Sequence, residues 1–253
     1  MNICVDVGNS TIVIGAYQNN SLVGRTVLTT DINLTFEQLS SLIRHRLRES
    51  IPQYDVNNII YSSVVPQVND HMIAILRAFF EVEPILINSE TRTDLAVDVD
   101  NPLEIGNDLI ADLVGAKEKY GYPCLIADLG TASKILLLDR NGTFTSCLIM
   151  PGLTLSAHSL SNKAALLPNV SLDAPKSILA RNTSSAMNAG IVYGHADMIV
   201  GLIKRYEKEI GYPCKHILTG GGAVYVKDIL SDSFIYDQNL NLDGLNIIVN
   251  KNS

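Results

Sequence analysis

The sequence offers little to the chemistries that announce themselves by motif. Its four cysteines, Cys4, Cys124, Cys147 and Cys214, form no CxxC pair, so neither a zinc site nor a redox pair is indicated. Three of them lie in or beside apolar runs and read as reduced core residues. His45, His71, His158, His195 and His216 are scattered without ligand spacing, and each reads as a surface or core histidine. There is no HExxH, no Walker loop and no GxSxG. No apolar run is long enough to span a bilayer. The first residues lack the basic region and cleavage pattern of a signal peptide, and Asp6 interrupts them at once. The expectation is a cytoplasmic protein with no membrane role. Clusters of Lys and Arg are also missing, and the formal net charge is −7, which argues against nucleic acid as the main partner. An anionic ligand would have to be held by local donors, because the global field does not attract it.

What remains is an ordinary globular composition. The chain has 253 residues, 47% hydrophobic and 18% charged, enough for one large or two medium domains with a substantial core. Its organising stretch is Ile3 to Gly15, which reads as strand, tight turn, strand. Gly8 lets the backbone bend, and Asn9, Ser10 and Thr11 crowd the turn with amides and hydroxyls. Such a turn can cradle phosphate oxygens while Asp6 holds a metal ion or its waters. Taken alone, it reads first as a plain hairpin with a polar turn.

The second half repeats the layout. Leu125 to Leu138 carries Asp128 where the first stretch has Asp6, Gly130 where it has Gly8, and Thr131 to Ser133 where it has Asn9 to Thr11. The alignment stays in register to the next turns, Gln18-Asn19-Asn20 and Arg140-Asn141-Gly142. An internal repeat is stronger evidence of architecture than a single motif. Two such hairpins facing each other could hold one nucleotide phosphate chain between two domains.

The rest of the chain supports two α/β halves. Ser21 to Thr29 reads as a strand, Thr35 to Glu49 as an amphipathic helix with Phe36, Leu39, Leu42, Ile43 and Leu47 on one stripe, and Asn58 to Val65 as a strand ended by Pro66. A helix over Asn69 to Phe80 and a short strand over Pro84 to Ile87 follow. Asp108 stands at the start of a helix, where it is either an N-terminal cap or a functional carboxylate. In the second half, strands are expected over Leu125–Asp128, Lys134–Asp139, Thr143–Met150 and Lys215–Thr219. Helices are expected over Leu153–Leu166 and from Ala186 to about Ile210. Gly220-Gly221-Gly222 after the last strand is either an anion site or a tight packing turn.

Taken together, these segments resemble the sugar kinase, Hsp70 and actin superfamily, and more closely the type III pantothenate kinases. The resemblance rests on Asp6-Val-Gly-Asn-Ser, Asn101-Pro-Leu-Glu-Ile-Gly-Asn-Asp108, Asp128-Leu-Gly-Thr-Ala, Pro151-Gly152, Leu167-Pro168, Asn182-Thr183 with Ala186-Met187 and Gly190, Thr219-Gly-Gly, and Leu242-Asp-Gly-Leu. They keep their order over nearly the whole chain. The implied fold is α/β, with two similar ribonuclease H-like (actin/hexokinase-type) domains over residues 1–114 and 115–253, each a mixed sheet flanked by helices. The implied activity is ATP-dependent phosphorylation of pantothenate, the first step of coenzyme A synthesis, by a homodimer that uses Mg²⁺ with the ATP and K⁺ or NH₄⁺.

Carried over by position, the resemblance makes Asp6, Val7, Gly8, Asn9, Ser10, Thr11, Ile12 and Val13 the first phosphate-binding segment, with Asp6 reaching Mg²⁺ through ATP. It makes Asp108 the catalytic base, Gly106, Asn107, Asp108, Leu109 and Thr183 the acceptor contacts, Thr131 an ATP contact, and Asp128 the monovalent-cation position. Four departures are visible. Leu109 stands where the family has Arg, Val99 near a usual Tyr, Ser146-Cys147 in place of Gly-Gly, and Lys134 in place of a common Thr. Leu cannot supply the donor fork of Arg, so a nucleotide-binding regulator without kinase activity and a kinase of another small hydroxylated acceptor stay open beside the pantothenate kinase.

Overall fold

In the computed structural model, residues 1–51, 55–164 and 166–253 are described. The chain divides into two compact units. The first holds residues 1–95, 100–115 and 240–253, and the second holds residues 96–99 and 116–239. The last helix, within residues 240–253, belongs to the first unit.

The sheet of the first unit is built from β1 (Asn2–Val7), β2 (Thr11–Gln18), β3 (Ser21–Thr29), β4 (Asn58–Ser63) and β5 (Pro84–Leu86), in the order β3-β2-β1-β4-β5. The first three strands run antiparallel, while β1–β4 and β4–β5 are parallel. Side chains alternate between faces along a strand. Ile3, Val5 and Val7 enter one core with Leu39, Ile43 and Leu47 of helix α1 (Phe36–Ser50) and Val68, Met72, Ile75 and Leu76 of α2 (Pro66–Phe80). Cys4 and Ile60 face the other way. They meet Ala111 and Val114 of α3 (Asn107–Tyr120) and Leu242, Leu245, Ile248 and Val249 of α7 (Leu240–Lys251). A central strand with helices on both faces must be apolar at nearly every position, and β1 is, except at its first residue, Asn2, and at Asp6.

Local signals explain the element ends. Thr35 closes a capping box with Gln38 at the start of α1. α2 begins at Pro66, three residues earlier than periodicity suggests, because the fixed φ of proline suits the first helical position.

The second unit repeats the plan with β6 (Ala96–Val97), β7 (Cys124–Leu129), β8 (Ala132–Leu138), β9 (Thr143–Pro151), β10 (Lys215–Thr219) and β11 (Ile235–Tyr236), in the order β11-β10-β7-β8-β9-β6. Again the first strand of the meander, β7, has an antiparallel neighbour on one side and a parallel one, β10, on the other. Helices α4 (Leu153–Lys163), α5 (Thr183–Ile210) and α6 (Lys227–Leu230) complete it. The helix expected to run to Leu166 stops at Lys163, and Ala165 lies outside the described residues. The polar stretch before residue 105 contributes the short strand β6 to this sheet.

α5 corrects one expectation. It is 28 residues long, and an 18-residue window of it is apolar enough, by length and composition, to cross a membrane. Its Val192, Ala196, Ile199 and Ile203 instead pack with Leu125, Ala127, Leu129, Ile135 and Leu137 in the second core. An Asn182–Ser185 capping box starts it, and Gly211, in the left-handed region at φ 77°, ends it.

α3 and α7 meet at backbone distance. A Cβ on Gly244 would lie 1.9 Å from the Ala111 carbonyl oxygen, and one on Gly115 would lie 2.5 Å from that of Leu240. Gly244→Ala is therefore expected to push the helices apart and destabilise the protein by about 3 kcal/mol, the upper end for overpacking. The check is the urea midpoint, and an unchanged midpoint would mean that the helix contact is loose.

Candidate active site

In the first unit, Asp6 is the next-to-last residue of β1, aligned with Ser62 on the parallel neighbour β4 and with Val13 on the antiparallel neighbour β2. The fully buried Ser62 donates its hydroxyl to Asp6 Oδ1 at 3.0 Å. The turn beyond is pinned from both sides. The Gly8 amide donates to the Thr11 carbonyl at 2.9 Å, the Thr30 hydroxyl to the Gly8 carbonyl at 2.7 Å, and the Val64 amide to the Val7 carbonyl at 3.0 Å. Asn9, Ser10 and Thr11 are left exposed, while Val7 and Ile12 are buried and Val13 is half-buried. The result is a rigid hairpin whose polar tip faces solvent. Beside it, burial pushes the Tyr61 phenol up to about 12, against an opposing hydrogen bond with Ser63 and with a smaller push from the Asp6 carboxylate.

Asp108 reaches the same edge from another element. It lies in the first turn of α3, half-buried, and its Oδ1 accepts the Leu109 amide at 2.9 Å. Gly106 allows this approach, since a Cβ there would sit 2.4 Å from Asp108 Oδ1 and 3.8 Å from Val64. Asn241 of α7 donates to the Asp108 carbonyl at 3.1 Å, and Asn107 donates to the Ile87 carbonyl at 3.3 Å. The structure thus brings Asp6 through Val13 and Gly106 through Asp108 to the carboxyl end of the β1–β4 pair. The capping bond of Asp108 and a functional role are compatible, because a carboxylate offers two oxygens with several lone pairs. Leu109 is buried, and its side chain joins the apolar interior.

In the second unit, Asp128 occupies the corresponding place in β7, aligned with Thr219 on the parallel β10 and with Lys134 on the antiparallel β8. The turn here is one residue shorter. β2 resumes five residues after Asp6, whereas β8 resumes four after Asp128. The sequence alignment, which sets Lys134 against Ile12, therefore slips by one, and the residue across from Asp128 matches Val13. A slip of one residue exchanges the faces of a strand. It brings the Lys134 ammonium to Asp128 Oδ2 at 3.1 Å.

Three glycines crowd this hairpin. A Cβ on Gly152 would lie 2.4 Å from the carbonyl oxygens of Gly130 and Thr131, one on Gly220 would lie 2.5 Å from Asp128 Oδ1, and one on Gly222 would lie 2.8 Å from the Leu129 oxygen. Close packing accounts for Gly152 and for two members of the Gly220–Gly222 cluster. A 3₁₀ turn over Gly221–Tyr225 begins within that cluster, and only then comes the short α6. Thr131 is exposed at the hairpin tip.

Thr183 stands apart in the same unit, exposed at the first position of α5. A cavity of about 620 Å³ lies beside it, with Lys176, Arg181, Asn182 and Ser184 in its lining. Among the described residues, no group of three or more His, Cys, Asp or Glu side chains could share a metal ion.

Sequence reasoning missed Ser62, Thr30 and the pair Ser133–His195. The Ser133 hydroxyl and His195 Nε2 lie 2.8 Å apart at the base of the second hairpin, with Ser133 fully buried and His195 6% exposed. The only available signal was the i, i+3, i+4 position of His195 among Val192, Ala196 and Ile199, which marks a core-facing site but does not name its partner.

The family model described as type III pantothenate kinase matches residues 2–205. A type III pantothenate kinase from Halalkalibacterium halodurans is 32% identical over the whole of both chains. One from Syntrophobacter fumaroxidans is 34% identical over all of this chain and 98% of its own length. Among solved structures, a Baf family transcriptional activator from Campylobacter jejuni aligns with a TM-score of 0.60 at 21% identity, over 99% of this chain and 98% of its own. MreB 5 of Spiroplasma citri bound to AMPPNP aligns at 0.53 with 12% identity, over 99% and 97%. These likenesses establish an actin/hexokinase-type fold.

Burial holds the His195 imidazole below the ordinary histidine value. The unfolded chain then takes up a proton near pH ~6.5 that the folded chain resists. Stability from the neutral ring is complete above that pH and declines as pH falls towards the folded value. The urea midpoint of the protein is expected to drop between about pH 7 and 5.5, and that of His195→Gln to drop less. Equal slopes would mean that His195 protonates without cost in the fold.

Proposed function

The chain belongs to the type III pantothenate kinase family, and from that premise we infer how its residues share the reaction. It is a kinase that uses ATP to phosphorylate pantothenate, the step that opens coenzyme A synthesis. Phosphoryl transfer asks the protein for in-line positioning and for charge neutralisation rather than for covalent chemistry. Asp108 is the base: it takes the proton of the primary hydroxyl of pantothenate as that oxygen attacks the γ-phosphorus. The observation that carries this role is that its carboxylate packs against Gly106, which lies beside Val64 at the same carboxyl edge of β1–β4 as Asp6 and the polar hairpin tip.

The exposed Asn9, Ser10 and Thr11 bind phosphate oxygens, with Val7, Gly8, Ile12 and Val13 forming the frame that holds them. Mg²⁺ bound with ATP offsets charge on the β- and γ-oxygens. Asp6 fits that ion, because Ser62 fixes its orientation and a magnesium held through one or two carboxylates, water and substrate phosphates needs no larger protein cage. Thr131 contacts ATP from its own hairpin. Gly106, Asn107 and Thr183 contact pantothenate, and Leu109 offers the acceptor no guanidinium. A free K⁺ or NH₄⁺ fits poorly at Asp128, where the Lys134 ammonium already donates to Oδ2, and no step is assigned to it. Large apolar side chains left exposed on β9 and α4, Leu148, Ile149, Leu155 and Leu160, support a homodimer in which a second copy covers them. A cytoplasmic location fits a kinase that consumes ATP.

Leu109 favours one second reading, a nucleotide-binding regulator, because a lost charge-assisted contact weakens acceptor binding by about 1.5–3 kcal/mol. Asp108→Asn separates the two. The substitution is expected to lower kcat by about 10²–10⁴ while leaving the affinity for an ATP analogue within about twofold, since Asp108 acts on the acceptor. ATP binding by the unmodified protein without pantothenate-dependent ADP release would favour the regulator.

A further inference from the structure

The second hairpin sets an ion pair, Lys134 with Asp128, between its two antiparallel strands. Across from Asp6, on the antiparallel neighbour, stands Val13; across from Asp128 stands Lys134. The two hairpins repeat each other in strand order, in the acid, in the glycine and in a hydroxyl residue on the parallel neighbour, Ser62 or Thr219. They differ in the residue across from the acid, Val13 in the first hairpin and the cation Lys134 in the second.

The pair is also sheltered. The Lys134 side chain is 16% exposed and that of Asp128 12%, with Nζ 3.1 Å from Oδ2. The Asp128 Oδ1 side packs against Gly220, where even a Cβ would come within 2.5 Å. A lysine ammonium is a compact point charge with three donors, chemically a tethered ammonium ion. Tethering makes occupancy independent of the ambient salt, because the local concentration of the charge is fixed by the chain. A second cation brought to the same carboxylate would be repelled by the first.

We propose that Lys134 is the built-in counter-cation of Asp128 and that this kinase works without a monovalent metal ion at that position. The proposal rests on the reading of the chain as an ATP-dependent kinase and sharpens it. Charge near the nucleotide is then balanced by a residue of β8 rather than by an ion drawn from solution.

The experiment compares the protein in KCl and in choline chloride at matched ionic strength, choline being too bulky for such a site. Two readouts are taken: pantothenate-dependent ADP release, and the Kd for Mg·AMPPNP by calorimetry. Both are expected to stay within about twofold between the two salts, less than the roughly tenfold change that losing one charge-assisted contact produces. Lys134→Thr, by contrast, is expected to lose about tenfold or more in AMPPNP affinity in choline chloride and to recover as K⁺ or NH₄⁺ is added. A tenfold fall of the unmodified protein in choline chloride, reversed by K⁺, would overturn the proposal. So would a Lys134→Thr protein that binds AMPPNP equally in both salts. If no turnover occurs in either salt, the kinase reading fails, and the calorimetric comparison still decides the role of Lys134. Should Lys134→Thr not fold, the salt comparison of the unmodified protein decides it.

Discussion

In each unit, one strand is flanked by an antiparallel neighbour on one side and a parallel neighbour on the other, and most of the site depends on that arrangement. Such a strand is buried on both faces, so a carboxylate near its end is tolerated only where the sheet gives out and hydroxyls or cations can meet it. Asp6 satisfies the condition with Ser62, and Asp128 satisfies it with Lys134. The acid position, the hairpin tip beyond it and the neighbouring strand end are fixed together, as one consequence of strand pairing. Substituting any of them disturbs the others.

The crowding of the second hairpin follows from the same packing. Gly152, Gly220 and Gly222 bring two other backbone segments against residues 128–131, which leaves the loop no room to rearrange. The first hairpin reaches comparable rigidity through hydrogen bonds from Thr30 and Val64. Duplicated architecture has thus been stabilised by two different means, steric closeness in one unit and polar ties in the other.

Much of this was legible in the sequence. The Asp-x-Gly hairpins and the strand order of both meanders follow from local signals: alternation and a glycine at the bend. Long-range choices left no such trace. Nothing between Asn58 and Val65 indicates that Ser62, rather than Ser63, faces Asp6, because that depends on parallel register. The meaning of Lys134 was hidden by a turn shortened by one residue, which shifts every later partner in the strand. The shared packing of α7 and α3 was equally invisible, since Leu240 to Val249 advertises an apolar segment but not the unit that claims it.

That last helix has a bearing on how the protein is made. Its residues cover the face of the first sheet that carries Cys4 and Ile60, yet they emerge from the ribosome after the whole second unit. Domains generally fold as units, in the order in which they are synthesised. Here the earlier unit waits with that face covered only by α3 while the later one is translated. That interval is when the nascent chain has most need of a chaperone.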